Sequence, residues 1–164
     1  MTRRAVLMEA LASTPIDIAR LVRGLNETAA AWRAAAGWSC HDVVTHLAAV
    51  EPLHLARWQR IVAEEEPSLA AIEVDQTLVD ATLSLSEVTK RFWQSRTLSL
   101  VWLREIQPVD WQRPANHETK GRTTLRFLVQ DLVAHDIEHT AQLVTILGEW
   151  RQERRKDGGK PGDR

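Results

Sequence analysis

Residues 134–143 read AHDIEHTAQL, with two histidines four positions apart and a glutamine three further on. On a helix, residues spaced by three and four share a face, so His135, His139 and Gln142 project side by side. An imidazole pair at this spacing is suited to hold a divalent metal. A third histidine, His46, stands in CHDVVTHLAAVE, residues 40–51. Three histidines from two helices, all aimed inward, make a facial donor set with open coordination positions. That is the layout of a catalytic centre rather than of a closed structural site. The alternative for His46 is a core histidine bonded to a carbonyl or to Asp131. HDIEH also fits H-x-x-E-H, the inverted zinc-protease pattern, in which Glu138 would be a general base. That pattern is short, and its proteases are much larger α/β domains.

These side chains need helices to position them, and the chain reads as helix nearly throughout. It is rich in Ala, Leu, Val and Arg, with no Tyr and two Phe, a balance that favours helices over a sandwich or barrel. The first helix takes much of 3–25, with a break expected at Thr14–Pro15, where proline would begin a new segment. The second runs from Ser39 to about Glu64. Ser39 with Asp42 resembles a capping box, and Pro52 leaves the Ala48 carbonyl without its partner and bends the helix. The third starts after Ser84, with Ser84 and Glu87 as its box, and reaches about Ile106. The fourth starts at Thr123 or Thr124 and ends near Gly148. Long connections occupy 65–83 and 107–122, and no strand is expected. The fold class is all-α, a four-helix bundle with long connections after helices two and three. It forms one domain over 1–150, followed by a charged, disordered tail over 151–164.

Periodicity assigns the inward faces. On the fourth helix the seam runs Leu125, Leu128, Leu132, His135, His139, Gln142, Ile146; on the second it runs Val43, His46, Val50, Leu53. Polar residues in a core seam are costly unless hydrogen-bonded or bound to metal. Asp131 and Gln142 lie within about 40° of His135 on the helical projection and are the expected partners behind the ligands. On the third helix the inward row is Val88, Phe92, Ser95, Ser99, Trp102, Ile106. There Arg91 or Arg96 would meet a carboxylate of a thiol cofactor, or the two serines would simply allow close packing. His41, His54 and His117 read as surface residues, His117 with a second reading as a lid. Cys40 reads as a small packing residue, despite its place at a helix N-terminus.

Composition narrows the class. With 21 Lys and Arg against 22 Asp and Glu, the formal net charge is −1, so no strong field attracts nucleic acid or a membrane. A single cysteine cannot form an internal disulfide, which suits a reducing, cytoplasmic compartment. No stretch is long enough to span a membrane.

WSCHDVVTHLAAVE, residues 38–51, resembles the second-helix motif of the DinB-like (DinB/YfiT) superfamily. In that motif a Trp-Ser cap precedes a helix carrying His-Leu and then an acidic residue. GRTTLRFLVQDLVAHDIEHTAQL, residues 121–143, is similar to its fourth-helix motif, ending in His-x-x-x-His-x-x-Gln. The resemblance covers about Leu11 to Gly148. It implies a four-helix bundle, often dimeric, with one divalent metal on His46, His135 and His139. It also implies transfer of a low-molecular-weight thiol, of the bacillithiol or mycothiol type, to a small electrophile, or metal-dependent hydrolysis. The alternative is a metal-containing stress-response or ligand-binding protein without turnover. Zn or Ni leads the candidate metals, with Fe, Cu or Mn behind, because tris-histidine ligation does not choose among them.

Overall fold

A computed structural model of the chain describes residues 2–34, 37–72 and 82–157. Its elements in order are α1 (Arg3–Leu21), α2 (Glu27–Ala31), α3 (Cys40–Ala63), β1 (Ser68–Leu69), α4 (Leu85–Glu105), a 3-10 turn (Pro108–Gln112), β2 (Pro114–His117), β3 (Gly121–Thr124) and α5 (Leu125–Asp157). Local chemistry sets two of the helix starts. Ser39 and Ser84 each cap with reciprocal bonds to Asp42 and Glu87 three residues on. Proline does not break α1 as the sequence suggests. Pro15 frees the carbonyl of Leu11, and that carbonyl accepts a hydrogen bond from Arg96 Nη1 at 2.9 Å. The lost helical bond is replaced across the bundle, so the helix continues.

The four long helices are α1, α3, α4 and α5. Helix α1 packs on α4 and α5, and α3 packs on the same two, so α1 and α3 lie on one diagonal. The core has two apolar halves. Ile18, Val43, Leu47, Val88, Phe92 and Leu143 lie in one half; Leu11, Trp58, Leu103, Leu125 and Leu132 lie in the other. Following each helix from half to half gives its direction. Helices α3 and α4 run from the first half to the second, and α1 and α5 run the opposite way. Consecutive helices α3 and α4 are therefore parallel, and the connection between them must return along the bundle. Helix α3 is about 36 Å long at 1.5 Å per residue, which only a long connection can span. The sequence-level loop 65–83 is that return; its residues 73–81 lie outside the described residues.

Between the two apolar halves sits one polar layer, with a residue from each long helix. Arg96 of α4 donates to Asp136 of α5 at 2.6 and 3.0 Å and to Glu51 of α3 at 2.8 Å. Thr14 of α1 donates to Asp136 at 2.8 Å. Arg96 and Glu51 are 0% exposed and Asp136 is 2%. Burial alone would lower the arginine's pKa, but Asp136 and Glu51 raise it above its ordinary value, so the guanidinium stays charged. This layer corrects the expected third-helix row. Arg96 faces the core carboxylates rather than a cofactor, and Arg91 is exposed. The inward row is Val88, Phe92, Arg96, Ser99, Leu103.

Among the described residues, three strands appear where none was expected. Strand β1 pairs parallel with β2, and β2 pairs antiparallel with β3. The sheet ties the returning connection to the α4–α5 hairpin. Gly121 closes that hairpin with φ +69°, a left-handed conformation that glycine adopts without a Cβ clash. Helix α5 also runs past Gly148 to Asp157. Trp150 packs on Trp32 with centroids 5.7 Å apart, and Arg154 lies over Trp150 at 5.6 Å. These contacts carry the helix into the segment read as tail, of which residues 158–164 lie outside the described residues. Cys40 is buried in the first core half, and burial pushes its thiol up to about 11, so it is a packing residue. Among the described residues, no helix is long and apolar enough to cross a membrane.

Candidate metal centre

The site lies between α3 and α5, which run antiparallel. His46 is on α3, and His135 and His139 are on consecutive turns of α5. The core seams are rotated from the sequence reading. Helix α5 buries Leu125, Leu128, Leu132 and Ile146 of the expected row together with Asp136, Leu143 and Leu147, while His135, His139 and Gln142 are half-buried on the flank. Helix α3 buries Val43, Leu47, Val50, Glu51, Trp58 and Ile61; His46 is half-buried and Leu53 is 44% exposed. The histidines thus line the edge of the core and not its centre, and each keeps part of its surface exposed.

The three rings converge by their Nε2 atoms. His46 Nε2 lies 3.0 Å from His135 Nε2, and His139 Nε2 lies 3.1 Å from His135 Nε2. One donor nitrogen from each of the three lies within 4.8 Å of the others. Nitrogens bound at about 2.1 Å to one ion are about 3.0 Å apart at right angles and about 3.4 Å apart in a tetrahedron. The observed separations fit a shared cation.

The protonation chemistry fits as well. His139 Nδ1 lies 2.8 Å from Gln142 Oε1. An amide oxygen only accepts, so Nδ1 carries the proton and Nε2 keeps its lone pair. Burial, then the charges of His139 and His135, lower His46 to about 4. Burial and His139 also lower His135, against the pull of Asp136, Glu138 and Asp131. Both rings are therefore neutral at pH 7, the form that binds metal. Ring nitrogens aimed at one point repel each other unless a cation or proton lies between them. His135 Nδ1 is buried without a hydrogen-bond partner.

Trp38, next to the Ser39 cap, walls the cluster. It stacks on His139 at 5.8 Å and meets His46 edge-on at 5.2 Å. Asp131 lies one turn from His135, where its carboxylate pairs with Lys120. Glu138 is exposed. His41 bonds the Leu83 carbonyl at 2.7 Å and ties α3 to the start of α4. Two histidines read as surface residues are not. His54 is half-buried, with its ring 6.4 Å from that of His135, and burial followed by His135 and nearby cations lowers it to about 3. His117 is 4% exposed, inside the hairpin. The available signal was their place on the α3 face and in the α4–α5 connection; for His117, the pairing of Leu69 with it across β1 and β2 is a long-range contact that no local pattern shows.

The family whose model matches the chain is the DinB superfamily, over residues 10–143. A comparison with curated proteins gives no match. Among solved structures, the chain is similar to YfiT from Bacillus subtilis, described as a probable metal-dependent hydrolase with an unusual four-helix bundle topology. The two are 20% identical with a TM-score of 0.77, over 89% of this chain and 87% of that one. At this identity the likeness is one of fold.

Proposed function

The chain belongs to the DinB superfamily, and on that footing we propose that it is a divalent-metal-dependent enzyme acting on a small molecule, with His46, His135 and His139 as the ligands. The observation that carries the reading is the convergence of three Nε2 atoms on one point at the open edge of the bundle. A divalent ion held there supplies Lewis-acid chemistry and favours the deprotonated form of a nucleophile. Neutral imidazoles leave the cation's charge undiminished, which suits a low-molecular-weight thiol as that nucleophile. Water is the second candidate, and the description of YfiT as a probable hydrolase favours it.

The chain's own groups do the rest. Gln142 fixes the His139 tautomer, Trp38 excludes solvent from one side, and the half-buried His54 stands beside His135. Zn and Ni lead the candidate metals. Asp131 supports His135 through its charge, from one turn away. A homodimer completes the reading. Ile137 and Val144 of α5 are 64% and 54% exposed and, with Ala134 and Ala141, step by threes and fours along one helix face, with Phe127, 46% exposed, seven residues before Ala134. The free Cys40 thiol suits a reducing cytoplasm.

The test is a steady-state assay of metal-loaded protein with bacillithiol, mycothiol, glutathione or coenzyme A and a panel of electrophiles, alongside hydrolysable esters and amides. Thiol-dependent consumption that disappears in His46→Ala is expected, and turnover with water alone would select hydrolysis. Metal-loaded protein with neither activity would leave the non-catalytic metal protein as the better account.

A further inference from the structure

A second cluster of polar side chains lies along the α3–α5 groove from the histidines. It comprises Arg57 of α3, His117 and Lys120 of the β2–β3 hairpin, and Asp131 of α5. Its chemistry turns on His117. The Nδ1 of His117 receives the backbone N–H of Thr119 at 3.2 Å. A backbone amide only donates, so this nitrogen carries no proton. Burial, then Arg57 and Lys120, lower the pKa of His117 against Asp131 and Glu118, so the ring is neutral, with its one proton on Nε2. That Nε2 faces Arg57 Nη1 at 3.5 Å. A guanidinium nitrogen has no lone pair to offer. The contact therefore sets two donors against each other, and no hydrogen bond forms between them. The arginine is not free to turn away, because its Nη2 donates to the Ala70 carbonyl on the returning connection. His117, 4% exposed, thus turns a donor toward the guanidinium of the half-buried Arg57. Both call for one acceptor.

We propose that Arg57 and His117 form an oxyanion-binding subsite that receives a carboxylate or phosphate group of the substrate; the assignment of that group to a substrate rests on the function proposed above. The carboxylates nearby are already engaged. Asp131 is held by Lys120, and Glu118 accepts from the Ala71 amide at 2.8 Å. Among the described residues, neither supplies the missing acceptor. Placement connects the subsite to the metal centre. From His46 to Arg57 the rise along α3 is about 16 Å. His54 stands between, in ring contact with His135 and one turn before Arg57. A substrate reaching from one to the other is a small, elongated molecule with its reacting group at the histidines and an anionic end at the hairpin.

The test uses metal-free, full-length protein. Long-range proton–nitrogen spectra of the histidine rings report the tautomer, and the Glu118–Gly121 backbone amides report binding as phosphate or, separately, succinate is added. The expected results are an Nε2-protonated His117 and a saturable shift with at least one anion; which anion saturates decides between phosphate and carboxylate. Arg57→Gln and His117→Phe should each weaken that binding about tenfold or more, as loss of a charge-assisted or buried bond does. His117→Gln, which keeps a donor near Nε2, should bind more tightly than His117→Phe. Metal-free His46→Ala should bind the anion as the metal-free parent does, while its metal uptake, read separately by elemental analysis after loading, is lost, so failure of the metal assignment and failure of the subsite are separable. An Nδ1-protonated His117 would overturn the proposal. So would hairpin amides blind to both anions, or binding that both Arg57→Gln and His117→Phe leave intact.

Discussion

His135 and Asp136 are neighbours in the chain and serve opposite sides of α5. His135 Nε2 is 3.0 Å from His46 Nε2 at the open edge of the bundle. Asp136 makes two charged bonds to Arg96 inside it. The buried pair therefore fixes the rotation of α5 that aims His135 and His139 at His46. Asp136→Ala should cost about 3–5 kcal/mol, because it strips a buried guanidinium of its bidentate partner. Urea unfolding measures this, and a loss below about 1 kcal/mol would show that the layer is not a buried ion pair in solution.

One divalent ion per chain is expected in protein purified without chelator. His46→Ala, His135→Ala and His139→Ala should each reduce occupancy severely by elemental analysis, since two imidazoles remain of three. Glu138→Gln should keep full occupancy, because that side chain is exposed. Full occupancy in His135→Ala would refute the ligand assignment.

Gln142→Leu should weaken metal binding by about 10–100-fold, the usual effect of losing the group that orients a ligand histidine. Competition with a calibrated chelator reads the affinity, and the unfolding midpoint of the apo protein should hardly move. Unchanged affinity would mean that the His139–Gln142 bond does not survive in the metal form.

Acid should destabilise the apo protein before its carboxylates titrate. His46 and His54 have folded values near 4 and 3, below the ordinary 6.5 of the unfolded chain. Above pH 6.5 both states are neutral and the rings contribute no pH dependence. As pH falls below 6.5 the unfolded chain takes up protons that the folded chain refuses, so stability declines until about pH 4 for His46 and about pH 3 for His54. Unfolding midpoints between pH 7.5 and 5 should fall, and His54→Gln should flatten the slope. A level profile across that range would contradict the burial of these rings.

The exposed apolar face of α5 predicts self-association. Ile137→Glu together with Val144→Glu should shift the protein to monomer in light scattering or sedimentation, with metal content unchanged. A wild-type protein that is monomeric at high micromolar concentration would remove the dimer from the proposed function.

Much of this molecule is local and therefore legible. Capping boxes act over three residues, so Ser39–Asp42 and Ser84–Glu87 set helix starts that any fold would keep. The i, i+4 spacing of His135 and His139 is a property of one helix, and His46 with its Trp-Ser cap gave the family motif. Three features depended on distant parts of the chain. Periodicity placed the histidines in the core seam, but Asp136 occupies it, because its partners Thr14 and Arg96 lie 122 and 40 residues away. A carboxylate reads as surface until a buried arginine is brought to it. The strands span two to four residues, too few for any period, and exist because the return from α3 meets the hairpin before α5. Helix α5 outlasts Gly148 because Trp150 finds Trp32. The sequence by itself determined the four long helices and the i, i+4 spacing of His135 and His139. Tertiary structure decided which face of each helix is buried, since the cost of burying a charge or a donor depends on the partner that packing supplies.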